Sequence, residues 1–254
     1  MAIPRAISLS LTTLYSSACI AAEADTIGVI VGAPSVNADP LGKDLYNSAY
    51  LLYNGRVEAV VNKTLLPTYD IFDEYRYFEP ASDWNVVTFK GKKLAITVCE
   101  DIWNLGDNPL YRICPMDILA KQQPGLMINI SASPFDYAQA DERLGIIQQN
   151  VAKYKIPMVY CNTVGSQTEI VFDGGSVVMD AEQNILAQLP YFSEALVAVN
   201  LINNNKSQQK ATNADIHRYP MPVVFDAQLS TDKIYDALIM GIRDYFGKMG
   251  FTKA

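Results

Sequence analysis

The chain has 254 residues, half of them hydrophobic and 19% charged, and 20 Lys and Arg stand against 27 Asp and Glu for a net charge of −7. That is material for one globular domain, or one and a small piece of another, with a sizeable core, and the acidic balance argues against nucleic acid and anionic membranes as partners. Four cysteines without a CxxC pair and a single histidine, His217, argue against a disulfide framework, a zinc site and a serine triad. Acid–base chemistry is left to carboxylates, lysines or thiols.

The opening stretch imitates a signal peptide through one Arg, a mildly apolar run and Ala22-Glu23-Ala24, but Ser and Thr interrupt the run. Ile7, Leu11, Leu14, Ala18 and Ala21 recur at three- and four-residue steps, which predicts an amphipathic helix. No run is long and apolar enough to span a membrane. A buried strand follows over 25–34, and 49–63 reads as a hairpin whose Asn54-Gly55 pair suits a type I′ turn. Residues 85–103 form a second pair turned at Lys90-Gly91-Lys92. A short helix starts at Pro115, well placed as a first helical residue. After it come a buried strand over 125–133, an amphipathic helix over 142–154 and a strand over 157–164. Residues 170–190 read as another hairpin and 194–201 as one more strand. From Ile202 to Arg218 the composition shifts to Asn, Gln, Lys and Ser, as in a linker. A helix follows, with Ser230 or Thr231 as its cap, Ile234, Leu238, Ile239, Ile242 and Phe246 on one side, and Gly250 at its end. The order is α/β with hairpins, not a plain doubly wound sheet.

Three clusters carry candidate chemistry, each with a plainer alternative. Cys99 ends a buried strand and enters a turn, where α/β proteins place their sites and backbone N–H groups can face an oxyanion; a free cysteine is also a small buried hydrophobe. Glu100 and Asp101 read equally as solvent-facing or helix-starting charge. Lys63 at a strand end could lower a thiol's pKa and stabilise an oxyanion, or be an ordinary solvated lysine. Tyr69, Phe72, Tyr75, Tyr77 and Phe78 crowd ten residues among acids and Arg76, enough to line a pocket or simply to pack a loop. Ser131 and Ser133 close another strand, to hold a ligand's polar end or to satisfy the backbone.

Taken together, K-x-x-L-P-x-Y-x-x-F-D-E-x-R-Y-F (Lys63 to Phe78), V-C-E-D-I-W (Val98 to Trp103), S-A-S-P-F (Ser131 to Phe135) and V-F-D-G-G-S (Val171 to Ser176) resemble the nitrilase-type glutaminase domain of glutamine-dependent NAD synthetases. The Lys and Cys motifs are common to carbon–nitrogen hydrolases, whereas the first and last of these runs are more typical of the synthetases. The segment IYDALIMGIRDYFGKMGF is similar to the helix that opens their synthetase domain.

The resemblance implies an αββα sandwich over 1–201 that lacks its first strands and helix, a linker over 202–229 and the start of an ATP-binding synthetase domain over 230–254. It implies that Cys99 attacks the side-chain amide of glutamine, releasing ammonia and leaving a thioester. Lys63 stabilises the tetrahedral intermediates, and Glu74 positions that lysine. Tyr69, Ser133, Glu100 and Gln139 take the places of substrate-binding residues, although the family often carries Lys or Arg at the position of Gln139; Arg143, one turn later, is the nearby candidate for that charge. The family's general base, a glutamate in an F-P-E motif, has no counterpart before Lys63. Glu23 and Glu58 are the available acids and neither has the strand-end setting, so roughly 50 residues of a strand–helix–strand unit are missing. The implied activity is glutamine hydrolysis feeding ammonia to the amidation of nicotinate adenine dinucleotide, with this chain by itself an inactive fragment. No cofactor is expected here, and ATP, Mg and the dinucleotide are expected only in the synthetase domain. A homo-oligomer in the cytoplasm is implied. The alternatives are a stand-alone hydrolase of another small amide and a non-catalytic, partner-binding fragment.

Overall fold

Tight turns with left-handed residues set the first sheet. In the computed structural model, which describes residues 24–106, 110–201 and 227–253, β1 (Val29–Val36), β2 (Leu45–Tyr53) and β3 (Arg56–Asn62) make a three-stranded antiparallel sheet in that order. Asn54 and Gly55 have φ of 51° and 69°, the pair of positive values that the I′ turn requires. The helix expected before residue 24 and the linker up to residue 226 lie outside the described residues, and residues 227–229, read as the linker's end, are already helical.

The chain then runs through α1 (Glu74–Tyr77), β4 (Val87–Phe89), β5 (Lys92–Val98), α2 (Pro115–Ala120), β6 (Leu126–Ser131), α3 (Gln139–Tyr154) and β7 (Met158–Asn162). It continues with β8 (Val164–Gln167), β9 (Ile170–Asp173), β10 (Val177–Met179), β11 (Ile185–Gln188) and α4 (Ala227–Met249). The second sheet has the order β11-β10-β7-β6-β5-β4, and β8 pairs with β9 as a separate ribbon. Strands β5, β6 and β7 are parallel, so their carboxyl ends share one rim. β5 reads as a continuous apolar run because both of its faces are covered.

Alternation along these strands distributes the core. Leu94, Ile96, Val98, Ile128 and Ile130 face the three-stranded sheet and pack with Ile30, Ala49 and Val61. Ala95, Met127, Met158 and Tyr160 face the other way, against Met116 and Leu119 of α2 and Ile147 and Val151 of α3. The described layers are therefore sheet, sheet and helices. Full burial of a side chain such as Ile96 or Ile147 stabilises the fold by about 1.5–3 kcal/mol.

Four sequence readings need correction. Residues 170–190 are not one hairpin: β9 belongs to the ribbon, and the hairpin is β10–β11, closed by Asp180, whose Oδ1 accepts the N–H groups of Glu182 and Asn184 at 3.0 and 2.8 Å. The break falls at Gly174 and Gly175, with φ of 73° and 68°; a Cβ on Gly175 would stand 2.1 Å from the Tyr191 ring. The strand read over 157–164 is likewise divided, since Asn162 ends β7 and Val164 begins β8. Residues 194–200 form no strand, having no ladder partner among the described residues. Finally, α4 begins at Ala227, so Ser230 and Thr231 lie inside it. Gly250 (φ 71°) does follow its end, with the Phe251 N–H on the Phe246 carbonyl at 2.9 Å.

Candidate active site

Two strand exits are tied together by one carboxylate. Cys99 follows β5 and opens a short 3₁₀ turn, Cys99–Ile102, with φ of +45°. A non-glycine residue in the left-handed region costs of order 1–3 kcal/mol and persists where its surroundings over-determine it. Here Asp101 does so: Oδ2 accepts the Val98 N–H at 3.1 Å, and Oδ1 accepts the N–H groups of Thr64 and Leu65 at 3.0 and 2.8 Å. The exit of β3 is thereby fastened to the exit of β5. Burial pushes the Asp101 carboxyl up to about 6, against the opposing pull of the Leu65 N–H, the Lys63 ammonium and the N–H groups of Val98 and Thr64. Asn129 on β6 donates to the Cys99 carbonyl at 3.3 Å, fixing the turn from the other side.

Lys63 is 1% exposed. Its backbone N–H donates to the Asn47 carbonyl at 2.7 Å, and its Nζ donates to Glu74 Oε1 at 2.6 Å. The aromatic segment reaches back because the Phe72 N–H bonds to the Tyr69 carbonyl (3.0 Å) and the Glu74 N–H to that of Pro67 (3.1 Å). The second Glu74 oxygen accepts from Asn47 Nδ2 at 3.2 Å, so both oxygens have partners. Burial alone would lower the Lys63 pKa, but the Cys99 sulfur, Glu74 and Asp101 together raise it above the ordinary lysine value. Burial raises the Cys99 thiol, and Lys63 pulls it back. The rim thus sets a thiol beside a buried lysine, a pairing that stabilises a thiolate or oxyanion once one forms.

Glu100, 5% exposed, takes two phenol protons on one oxygen: Tyr69 and Tyr111 each donate to Oε1 at 2.8 Å. Both tyrosines line a cavity of about 390 Å³ with Thr64, Leu65, Tyr75 and Leu110. On the β6 side, the Ser133 N–H donates to Asn162 Oδ1 at 2.9 Å, and its hydroxyl accepts from Arg143 Nη1 at 3.3 Å. The guanidinium of Arg143 is also paired with Asp173 at 2.5 Å, with both side chains buried. Gln139 opens α3 with its N–H on the Asp136 carbonyl (3.2 Å), and it is Arg143, one turn on, that reaches Ser133. Glu58 sits exposed on β3, and Glu23 lies outside the described residues. Asn47, Tyr111, Asn129, Asn162 and Asp173 escaped the sequence reading. Only Asp173 carried a signal, standing within the V-F-D-G-G-S run.

Among the described residues no group of three or more His, Cys, Asp and Glu could hold a metal, and no helix is long and apolar enough to cross a membrane. A paired lysine and thiol at a parallel-sheet rim agrees with a family match: residues 6–208 fit the carbon-nitrogen hydrolase family. The chain belongs to the carbon-nitrogen hydrolase family. Its relatives include the glutamine-dependent NAD(+) synthetases of Synechocystis sp., 33% identical over 235 residues (90% of this chain, 40% of the relative), and Thermotoga maritima, 31% identical over 252 residues (89% and 42%). The chain thus spans about 40% of the length of these curated relatives. A solved structure of the glutamine-dependent NAD+ synthetase from Acinetobacter baumannii superposes with a TM-score of 0.71 at 25% identity, covering 92% of this chain and 40% of that one. A carbon-nitrogen hydrolase structure from Helicobacter pylori has a TM-score of 0.57 at 24% identity, over 68% and 61%, and shares the nitrilase-like α/β fold.

Proposed function

We propose that this carbon-nitrogen hydrolase chain is the glutaminase portion of a glutamine-dependent NAD synthetase. The observation that carries the reading is the buried Lys63–Glu74 pair against a thiol in a left-handed turn, within a chain whose relatives bear that name. Cys99 Sγ attacks the side-chain amide carbon of glutamine and a C–S bond forms. The Lys63 ammonium and the N–H of Glu100 stabilise the oxyanion. The C–N bond then breaks, and the thiol proton leaves on the nitrogen as ammonia. Water adds to the thioester, the C–S bond breaks, and glutamate and the thiol are released. Glu74 positions Lys63, since both of its oxygens are engaged. Tyr69 and Glu100 hold one end of the substrate and Ser133 the other. The proton carrier is a further acid, which the family resemblance places in an upstream F-P-E segment.

In the same reading, ammonia passes to an ATP-activated nicotinate adenine dinucleotide, with ATP and Mg bound by a synthetase domain of the full-length protein. That protein is a cytoplasmic homo-oligomer. The test is ammonia release from L-glutamine. The 254-residue chain should be a very poor glutaminase, since loss of a positioned base costs about 10²–10⁴ in rate. A longer protein carrying the F-P-E segment should regain activity and lose it with Cys99→Ala. Robust release by this chain alone would overturn the assignment of the proton carrier. Turnover of other amides but not glutamine would favour the stand-alone hydrolase.

A further inference from the structure

Two buried hydroxyls beside Cys99 take no part in the hydrogen bonds that fasten the rim. Among the described residues, Ser131 Oγ and the Tyr160 phenol oxygen are shut off from solvent and have no hydrogen-bond partner. A buried hydroxyl left unpaired is costly, and in a native fold it calls for a reason. Strand register sets their positions. Val98 of β5 stands beside Ile130 of β6, so the next residues, Cys99 and Ser131, leave the sheet side by side. Ser131 in turn lies beside Asn162 of β7, two residues after Tyr160, which puts Ser131 and Tyr160 on one face. The bond from Asn129 to the Cys99 carbonyl, at 3.3 Å, holds the left-handed turn over β6. Burial is the main cause that raises the Cys99 thiol; Lys63 and then the Ser131 hydroxyl lower it, while Glu74 and Glu100 raise it. Tyr160 has Ser131, Ser133 and Arg143 as neighbours, and burial raises its phenol against the pull of Arg143, which keeps its proton in place. A phenol with a proton to offer, a hydroxyl that can accept one hydrogen bond and donate another, and a sulfur that gains charge in the reaction therefore meet in that order.

We propose that Ser131 is a further catalytic residue, whose hydroxyl donates a hydrogen bond to the Cys99 sulfur once the thiol has given up its proton, and that Tyr160 positions it by donating to the Ser131 oxygen. No proton changes hands along this pair; the thiol proton goes to the separate acid that carries it. A neutral thiol is a weak acceptor and a thiolate a strong one, which is why both hydroxyls stand unpaired at rest. The proposal rests on the glutaminase reading, in which Cys99 is the nucleophile, and deepens it: the developing charge is met by the Lys63 ammonium from the β3 side and by Ser131 from the β6 side.

The pH dependence of Cys99 alkylation by iodoacetamide, followed at its own peptide by mass spectrometry, reads the thiol without needing turnover. In the 254-residue chain, Ser131→Ala should raise the alkylation midpoint by about one pH unit, the scale of one hydrogen bond to a charged group. The same variant should leave the denaturant midpoint unchanged or higher, because the oxygen removed has no partner at rest. Tyr160→Phe should raise the alkylation midpoint by less, and Ser131→Thr, which keeps the hydroxyl, should return it towards the parent value. An alkylation midpoint that stays put in Ser131→Ala overturns the role of Ser131. A fall in the denaturant midpoint overturns it as well, since the hydroxyl would then be structural. Either result leaves the glutaminase reading intact. That reading fails separately, if the longer protein with the F-P-E segment still releases ammonia from L-glutamine after Cys99→Ala.

Discussion

The rim of the six-stranded sheet and the seam under α4 both use charged side chains, in opposite ways. At the rim, Lys63 and Glu74 have side-chain exposures of 0% and 18%, and Arg143 and Asp173 of 4% and 2%. Asp101 is held by three N–H donors. Under α4, Asp244 accepts the Ser166 N–H at 2.8 Å, and Lys248 donates to the Ser166 carbonyl and to Gln167. Its neighbour Arg243 stands in water at 63% exposure. Charge removed from water is expensive and is retained only where every group has a partner; charge left in water contributes little. The rim is accordingly where single substitutions should act most strongly, and the seam where they should act least.

The largest effect is expected at Arg143. Arg143→Met keeps the bulk but leaves Asp173 buried and unpaired, which should cost about 3–5 kcal/mol in denaturant unfolding. Adding Asp173→Leu should recover much of that loss, because an apolar pair of similar volume is often neutral. A single variant as stable as the parent would show that the pair is not part of what holds Ser133.

Lys63→Met comes next. In a protein with measurable turnover it should lower the rate by about 10²–10³, as loss of an oxyanion donor does. It should also move the pH midpoint of Cys99 alkylation upward. The sign follows from the opposing causes: burial already raises the thiol, and Lys63 is what lowers it. A midpoint that falls or stays put would separate the lysine from the thiol.

Asp101→Asn probes the tie between the two strand exits. One amide oxygen replaces two carboxylate oxygens, so the N–H of Val98, or those of Thr64 and Leu65, lose their acceptor. The expected cost is about 1–3 kcal/mol for a buried group left unsatisfied, read from the thermal or denaturant midpoint. Unchanged stability would mean that the left-handed turn at Cys99 is held without Asp101.

The same contrast explains what was legible in the sequence. Asn54-Gly55 foretold a I′ turn because its chemistry is local, and Lys63 and Cys99 were found because both close apolar strands and sit in recognisable runs. Tyr111, Asn47 and Asn162 carry no local period: their partners Glu100, Glu74 and Asp173 are 11 to 27 residues away, and only the fold supplies the meeting. The run over 194–200 has a strand's composition, but a strand also needs a neighbour, which composition does not encode. In α4 the sequence puts Ile234, Leu238, Ile239, Ile242 and Phe246 on one side, and that side is not the one turned inward. Instead Ala237 and Met240 are buried, while Leu238 and Ile242 are 60% and 57% exposed. The ribbon lies directly against the helix there, since an added Cβ on Gly241 would make an ordinary contact with Val171 at 3.6 Å.

The smallest effect is expected at Asp244. Asp244→Ala takes the acceptor from the Ser166 N–H, worth about 0.5–1.5 kcal/mol, and a largely exposed pair with Arg243, worth at most about 1 kcal/mol. Because the main contacts of α4 among the described residues are with the β8–β9 ribbon, the loss should stay local. Amide exchange in α4 should quicken by up to about seventyfold, while the amides of β6 keep their protection. If β6 loosens by the same factor, α4 and the sheet unfold as one unit. The proposed difference between a rim fixed by buried ion pairs and a seam held by a partly exposed one would then not survive.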